Sequence, residues 1–128
     1  MNIGKNENEL TFLIVDDQKD ILTLCHALIQ DAFNFKKVFT ASNGDEARRL
    51  IKVNQIDIVL SDIRMPGLDG LELLKKVSEK GIHIPAYIFM TGFNDKETAR
   101  KAYELGALAV IDKPLNHESM EIIREKIS

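Results

Sequence analysis

The chain has 128 residues, 45% of them apolar and 29% charged, with a formal net charge of −3 at pH 7. That fits one globular domain with a core of its own, needing neither disulfides nor a structural metal, and it argues against disorder. The acidic balance argues against direct contact with nucleic acid, and no apolar run approaches the roughly 18 residues of a membrane span.

Residues 1–8 are polar and are expected to form a flexible tail, with one folded domain over 9–128. The first strand is expected over 10–16 and the first helix over 18–32, where Ile21, Leu22, Leu24, Cys25, Leu28 and Ile29 recur at helical spacing. Cys25 is the only cysteine, so a buried, reduced thiol and a cytoplasmic setting are expected. A second strand is expected over 37–41, then a turn at Asn43-Gly44 and a helix over 45–53. The third strand covers 56–61, Pro66-Gly67 breaks the chain, and a helix over 68–79 ends at Gly81. The fourth strand covers 85–90. Its helix spans 94–105, with Asn94 or Asp95 as the cap and Gly106 as the terminator. The last pair is a strand over 108–112 and a helix over 116–127. Alternation of this kind predicts an α/β fold, a doubly wound parallel sheet with helices on both faces.

The carboxyl ends of four of these strands carry chemistry. Asp16 and Asp17 end the first, Asp62 the third and Thr91 the fourth, while Lys113 follows the fifth. Open α/β sheets bind ligands at that edge. Three carboxylates held together repel one another, and a hard divalent cation such as Mg²⁺ relieves the repulsion with oxygen ligands. Lys113 offers a positive charge, and Thr91 a hydroxyl, to the oxygens of a phosphoryl group. Each residue has a plainer reading. Asp17 could cap the first helix, Asp62 could sit in a turn, Thr91 could close the turn before the fourth helix, and Lys113 could be a solvated lysine. Their joint placement favours a Mg²⁺-dependent site that phosphorylates an aspartate. The histidines, His26, His83 and His117, are scattered and suggest no metal site.

Ile14-Val15-Asp16-Asp17, the segment from Ser61 to Gly70, Met90-Thr91-Gly92 and Lys113-Pro114 resemble the signatures of two-component response regulator receiver domains, and the likeness runs from Leu10 to Ile127. The resemblance implies a flavodoxin-like sheet of order 2-1-3-4-5. It implies Asp62 as phosphoacceptor, with Thr91 and Lys113 contacting the phosphoryl group. Mg²⁺ would be held directly by Asp17, Asp62 and the backbone carbonyl of Arg64, and by Asp16 through water. The Lys113-Pro114 bond would be cis. The implied donor is a sensor histidine kinase or a histidine phosphotransfer protein. The implied output is a partner protein or attached domain read through the surface of the fourth helix, fifth strand and fifth helix, with a phosphorylation-dependent homodimer as a further option. Such a module catalyses only its own phosphorylation and dephosphorylation. The chain would act alone by protein contact or be a piece of a longer protein.

Three positions depart from or refine the family pattern. Many receivers carry Tyr or Phe three residues before the lysine, and here Val110 stands there, which puts an aromatic-coupled switch in doubt. The resemblance also implies that Arg64 and Phe93 border the path of the hydrolytic water; they offer it neither carboxylate nor amide, which predicts a long-lived phosphoryl group. Two other classes compete with this reading. A pseudo-receiver would use the fold as a docking surface without phosphorylation. An aspartate-nucleophile phosphatase needs a second Asp two residues after the first, and Asp17 is followed there by Lys19.

Overall fold

In the computed structural model, which describes residues 4–93 and 96–128, five short apolar runs pair as one parallel sheet. These are β1 (Thr11–Val15), β2 (Lys37–Ala41), β3 (Ile58–Asp62), β4 (Ala86–Thr91) and β5 (Ala109–Asp112). Their order is β2-β1-β3-β4-β5. The helices are α1 (Lys19–Ala32), α2 (Gly44–Val53), α3 (Gly70–Glu79), α4 (Lys96–Glu104) and α5 (His117–Ile127). This is the doubly wound architecture that the alternating pattern predicts. Asn94 and Asp95, the expected caps of α4, lie outside the described residues.

Helix starts follow their capping chemistry. Asn43 caps α2 by accepting a hydrogen bond from the Glu46 N–H at 2.8 Å, so Gly44 opens the helix rather than ending a turn. The carboxylate of Asp69 accepts from the Glu72 N–H at 2.9 Å, and Glu72 accepts from the Asp69 N–H at 3.3 Å. This reciprocal box delays α3 to Gly70, two residues beyond the expected start. Gly81 and Gly106 follow α3 and α4 with φ of +76° and +104°, the left-handed region that glycine enters at least cost.

Alternate side chains along each strand point to opposite faces. Phe12, Ile14, Leu60, Ile88 and Met90 pack with Cys25 and Ile29 of α1 and Ile123 of α5. Leu13, Val59 and Phe89 pack with Ile51 of α2, Leu73 of α3 and Ala102 of α4. Every residue of β3 and β4 is buried, as expected of central parallel strands covered on both sides.

At the amino edge, Asp57 is 3% exposed, and its carboxylate accepts from the Thr11 N–H at 2.9 Å and the Lys5 ammonium at 3.1 Å. Glu7 accepts from the Asn34 N–H at 2.7 Å, and Arg124 reaches it at 3.4 Å. Lys5 and Glu7 belong to the segment expected to be flexible. They bind the body because a buried carboxylate and a free loop amide both need partners.

At the carboxyl edge, Gly70 sets the distance between α3 and the end of β3. Its N–H donates to the Ile63 carbonyl at 2.8 Å, and a Cβ at this position would lie 2.2 Å from the carbonyl oxygen of Asp62. Gly70→Ala must therefore push α3 away from β3, at an expected cost of about 2–3 kcal/mol by chemical denaturation. Gly81→Ala, with open space around the added methyl, should cost only about 1 kcal/mol. Equal losses in the two variants would show that the contact with Asp62 does not constrain α3.

Candidate functional site

The strand order reverses at β1, whose neighbours are β2 on one side and β3 on the other. The loops leaving β1 and β3 therefore part in opposite directions and open a crevice at the carboxyl edge. Asp16 and Asp17 leave β1 into that crevice, and Asp62 is the last residue of β3. Carboxylate oxygens of the three lie within 4.8 Å of one another. Asp16 is fully buried and Asp62 is 6% exposed, while Asp17 is open to solvent. Asp17 does not cap α1. The cap position is Gln18, whose N–H donates to the Asp16 carboxylate at 2.9 Å.

Lys113 arrives from the far side of the sheet. β4 and β5 pair Thr91 with Asp112, and the Lys113 N–H donates to the Thr91 carbonyl at 2.9 Å. The Lys113-Pro114 bond that follows is cis. The ammonium lies 2.7 Å from an Asp16 oxygen and 3.2 Å from an Asp62 oxygen. Lys113 is thus no solvated surface lysine. Burial alone would lower its pKa, but the hydrogen bond to Asp16 and the charge of Asp62 outweigh burial and hold it above the ordinary value. Burial pushes the Asp62 carboxyl up; Lys113 opposes that rise, and Asp16 and Asp17 reinforce it. Cys25 lies beneath the crevice, fully buried. Burial, reinforced by Asp16, raises its thiol to about 11, which leaves it an inert, protonated core side chain.

Thr91 is 2% exposed, and its hydroxyl is engaged locally: it accepts from the Phe93 N–H and donates to the Phe93 carbonyl, both at 3.1 Å. The plainer reading of Thr91, closure of the turn after β4, therefore describes this state. Phe93 is 60% exposed, and the Arg64 guanidinium lies 5.2 Å from the centre of its ring. That distance suits a cation–π contact joining the loops after β3 and β4. Sequence reasoning placed both residues beside the site but did not foresee the contact. On the outer edge of β5, the Tyr103 hydroxyl of α4 accepts from the Val110 N–H at 3.3 Å.

The three carboxylates form a hard oxygen donor set, and the crevice already draws in a cation, Lys113. Both features suit Mg²⁺, which favours carboxylates on one side and water or phosphate oxygen on the other. Asp16, Asp17 and Asp62 could together bind such an ion.

The family model described as "Response regulator receiver domain" matches residues 12–124. Among curated proteins, the chain is 34% identical over 116 residues to the Bacillus subtilis "Uncharacterized transcriptional regulatory protein YesN", covering 90% of this chain and 31% of that protein. It is 33% identical to the "Probable C4-dicarboxylate response regulator DctR" of Priestia megaterium, covering 91% of this chain and 50% of that protein. The chain thus spans half or less of the length of these relatives. Among solved structures, the Vibrio cholerae chemotaxis protein CheY4 superposes with a TM-score of 0.83 at 25% identity, covering 94% of this chain and 99% of that one. A CheY-like receiver domain protein from Methanospirillum hungatei superposes with a TM-score of 0.78 at 30% identity, covering 92% and 93%.

The raised Asp62 carboxyl has a stability consequence. Ionising it costs the folded state more than the unfolded one. The penalty is absent at low pH, grows as pH rises past the ordinary carboxylate value, and is complete above the raised one. Without metal at neutral pH, Asp62→Asn should therefore melt about 3 °C above the parent protein. The gap should close in acid, and Mg²⁺ should narrow it by stabilising the parent. A variant that melts lower at neutral pH without metal would contradict this account.

Proposed function

The chain belongs to the response regulator receiver domain family of two-component signalling, and we propose that it takes a phosphoryl group from a phosphohistidine onto Asp62. One observation carries the reading: Asp16, Asp17 and Asp62 converge at the strand-order reversal with Lys113 among them. An Asp62 carboxylate oxygen attacks phosphorus in line with the departing imidazole nitrogen, forming an acyl phosphate. Asp17, Asp62 and the Arg64 carbonyl would hold Mg²⁺ directly, and Asp16 would do so through water. The ion supplies shielding of the phosphoryl oxygens, which otherwise repel an anionic nucleophile. Lys113 passes from its carboxylate partners to one phosphoryl oxygen. Thr91 exchanges its bonds to Phe93 for another.

The donor is a sensor histidine kinase or a histidine phosphotransfer protein. The output is a partner protein, an attached domain or a second copy of the chain, read through α4, β5 and α5. Chemistry at the site is confined to the domain's own phosphorylation and dephosphorylation. The hydrogen bond from Val110 to Tyr103 supports coupling of α4 to β5 at the position where an aromatic side chain is missing. A cytoplasmic setting suits these partners, and among the described residues no helix is long and apolar enough to cross a membrane.

Asp62→Asn should abolish acyl phosphate formation with Mg²⁺ and a small phosphodonor, read by intact mass. Phosphorylation of that variant at the parent rate would sink the assignment. Asp17→Ala should weaken Mg²⁺ binding more than Asp16→Ala, since only the former removes a direct ligand. Lys113→Met and Thr91→Ala should still bind metal, yet lose the chemical-shift changes that beryllofluoride, a phosphoryl mimic, induces in the parent.

Lifetime follows from the mouth of the site. The Arg64–Phe93 contact offers water no acceptor to hold it in line with the acyl phosphate bond. Hydrolysis needs that alignment, which can be worth orders of magnitude in rate. The double change Arg64→Asn with Phe93→Glu should speed phosphoryl loss roughly tenfold. An unchanged decay rate at saturating Mg²⁺ would show that these side chains do not govern the water.

A further inference from the structure

Away from the carboxyl edge, α2 and α3 frame a groove of about 550 Å³. Arg48, Arg49 and Lys52 of α2 line it from one side, and Lys76 and Lys80, at the end of α3, from the other. Ile82 and the buried Val77 supply its apolar lining, and among the described residues no acidic side chain takes part. All five cations are exposed. Asp45 reaches Arg48 at 3.5 Å across a solvated turn, but among the described residues the other four make no ion pair. This concentration of positive charge lies on a chain whose net charge is −3.

Helix ends explain part of the pattern. Lys52 and Lys76 lie in last turns, where a cation is favoured by the helix dipole. That effect accounts neither for Arg48 and Arg49 nor for the meeting of two helices' cations over one apolar lining. Arg48 and Lys52 are four residues apart, as are Lys76 and Lys80, so each pair shares one face of its own helical path.

We propose that this groove docks an acidic amphipathic helix of a partner protein. The rows on α2 and α3 match carboxylates spaced three or four residues apart on the two flanks of such a helix. Apolar side chains between those flanks would reach Ile82, which is half-buried above Val77, the groove mode of helix recognition. Val53, the residue after Lys52, leaves 76% of its surface exposed and adds apolar area at the end of α2. A small anion would remain largely in water in so open a groove, unlike ligands of enclosed pockets. A sugar-phosphate backbone would offer nothing apolar to the Ile82 side chain in the groove.

The probe is a synthetic, fluorescein-labelled helical peptide of about four turns, with Glu rows flanking a Leu ridge. Anisotropy at low salt should give a Kd on the order of 10 µM. A scrambled peptide of the same composition should bind roughly tenfold more weakly. Amide shift changes should map to α2 and α3. The double change Arg49→Glu with Lys76→Glu should weaken the designed peptide roughly tenfold while leaving phosphorylation of Asp62 unchanged. Should the reversed charges impair folding, Arg49→Gln with Lys76→Gln gives the same test at neutral charge. The proposal is overturned if the scrambled peptide binds as well as the designed one, if shift changes fall outside α2 and α3, if a folded variant keeps full affinity, or if duplex DNA of equal charge displaces the peptide.

Discussion

Three carboxylates cannot share one end of a sheet without a cation, and the architecture around the crevice follows from that constraint. Lys113 meets it, 2.7 Å from Asp16 and 3.2 Å from Asp62. It reaches them from beyond β5, two strands away from β3, so the full width of β3, β4 and β5 must hold its register. The all-buried strands β3 and β4 supply that rigidity. The site spends stability on a charge cluster, and the two core layers on either face of the sheet offset it.

The apolar strands were legible because each ends abruptly at a polar or charged residue. That punctuation located Asp16, Asp17, Asp62 and Thr91 at one edge before any contact was known, since parallel strands share their carboxyl ends. Boundaries shifted where a cap decides the start, as Asp69 does for α3. The ion pairs of Lys113 were not legible. Asp16 lies 97 residues away, and residue type alone could not show that this lysine pairs with buried carboxylates. The basic groove escaped notice for a related reason. Its cations sit in two segments that also carry acids such as Asp45, Glu72 and Glu79, so only the packing of α2 beside α3 sorts the charges by face.

On the proposed reading, Thr91 would hold two roles that sequence reasoning had set against each other. Its hydroxyl closes the local turn through Phe93, which is the plainer reading. The same hydroxyl stands at the edge shared with Asp62, where β3 and β4 run side by side. The turn reading describes the resting hydrogen bonds, and the phosphoryl reading describes what would replace them. A hydroxyl can serve both states because it donates and accepts and turns about one bond.

On the proposed reading, this exchange bears on how the domain could switch without an aromatic residue at position 110. A valine there has one strongly preferred rotamer and cannot swing inward to report on Thr91. Yet Thr91 cannot turn toward a phosphoryl group without releasing both the N–H and the carbonyl of Phe93. Phe93 is therefore the first residue to lose partners, and its ring is already tied to Arg64 on the neighbouring loop. A change at Thr91 would pass to the loop after β3 through that ring. Tyr103 links α4 to the Val110 N–H through its hydroxyl, at the position where the aromatic side chain is missing. On this reading the aromatic groups of the switch would be on the loop and the helix instead of on β5. Hydroxyl bonds to the backbone of Phe93 and Val110 would take the place of a moving ring.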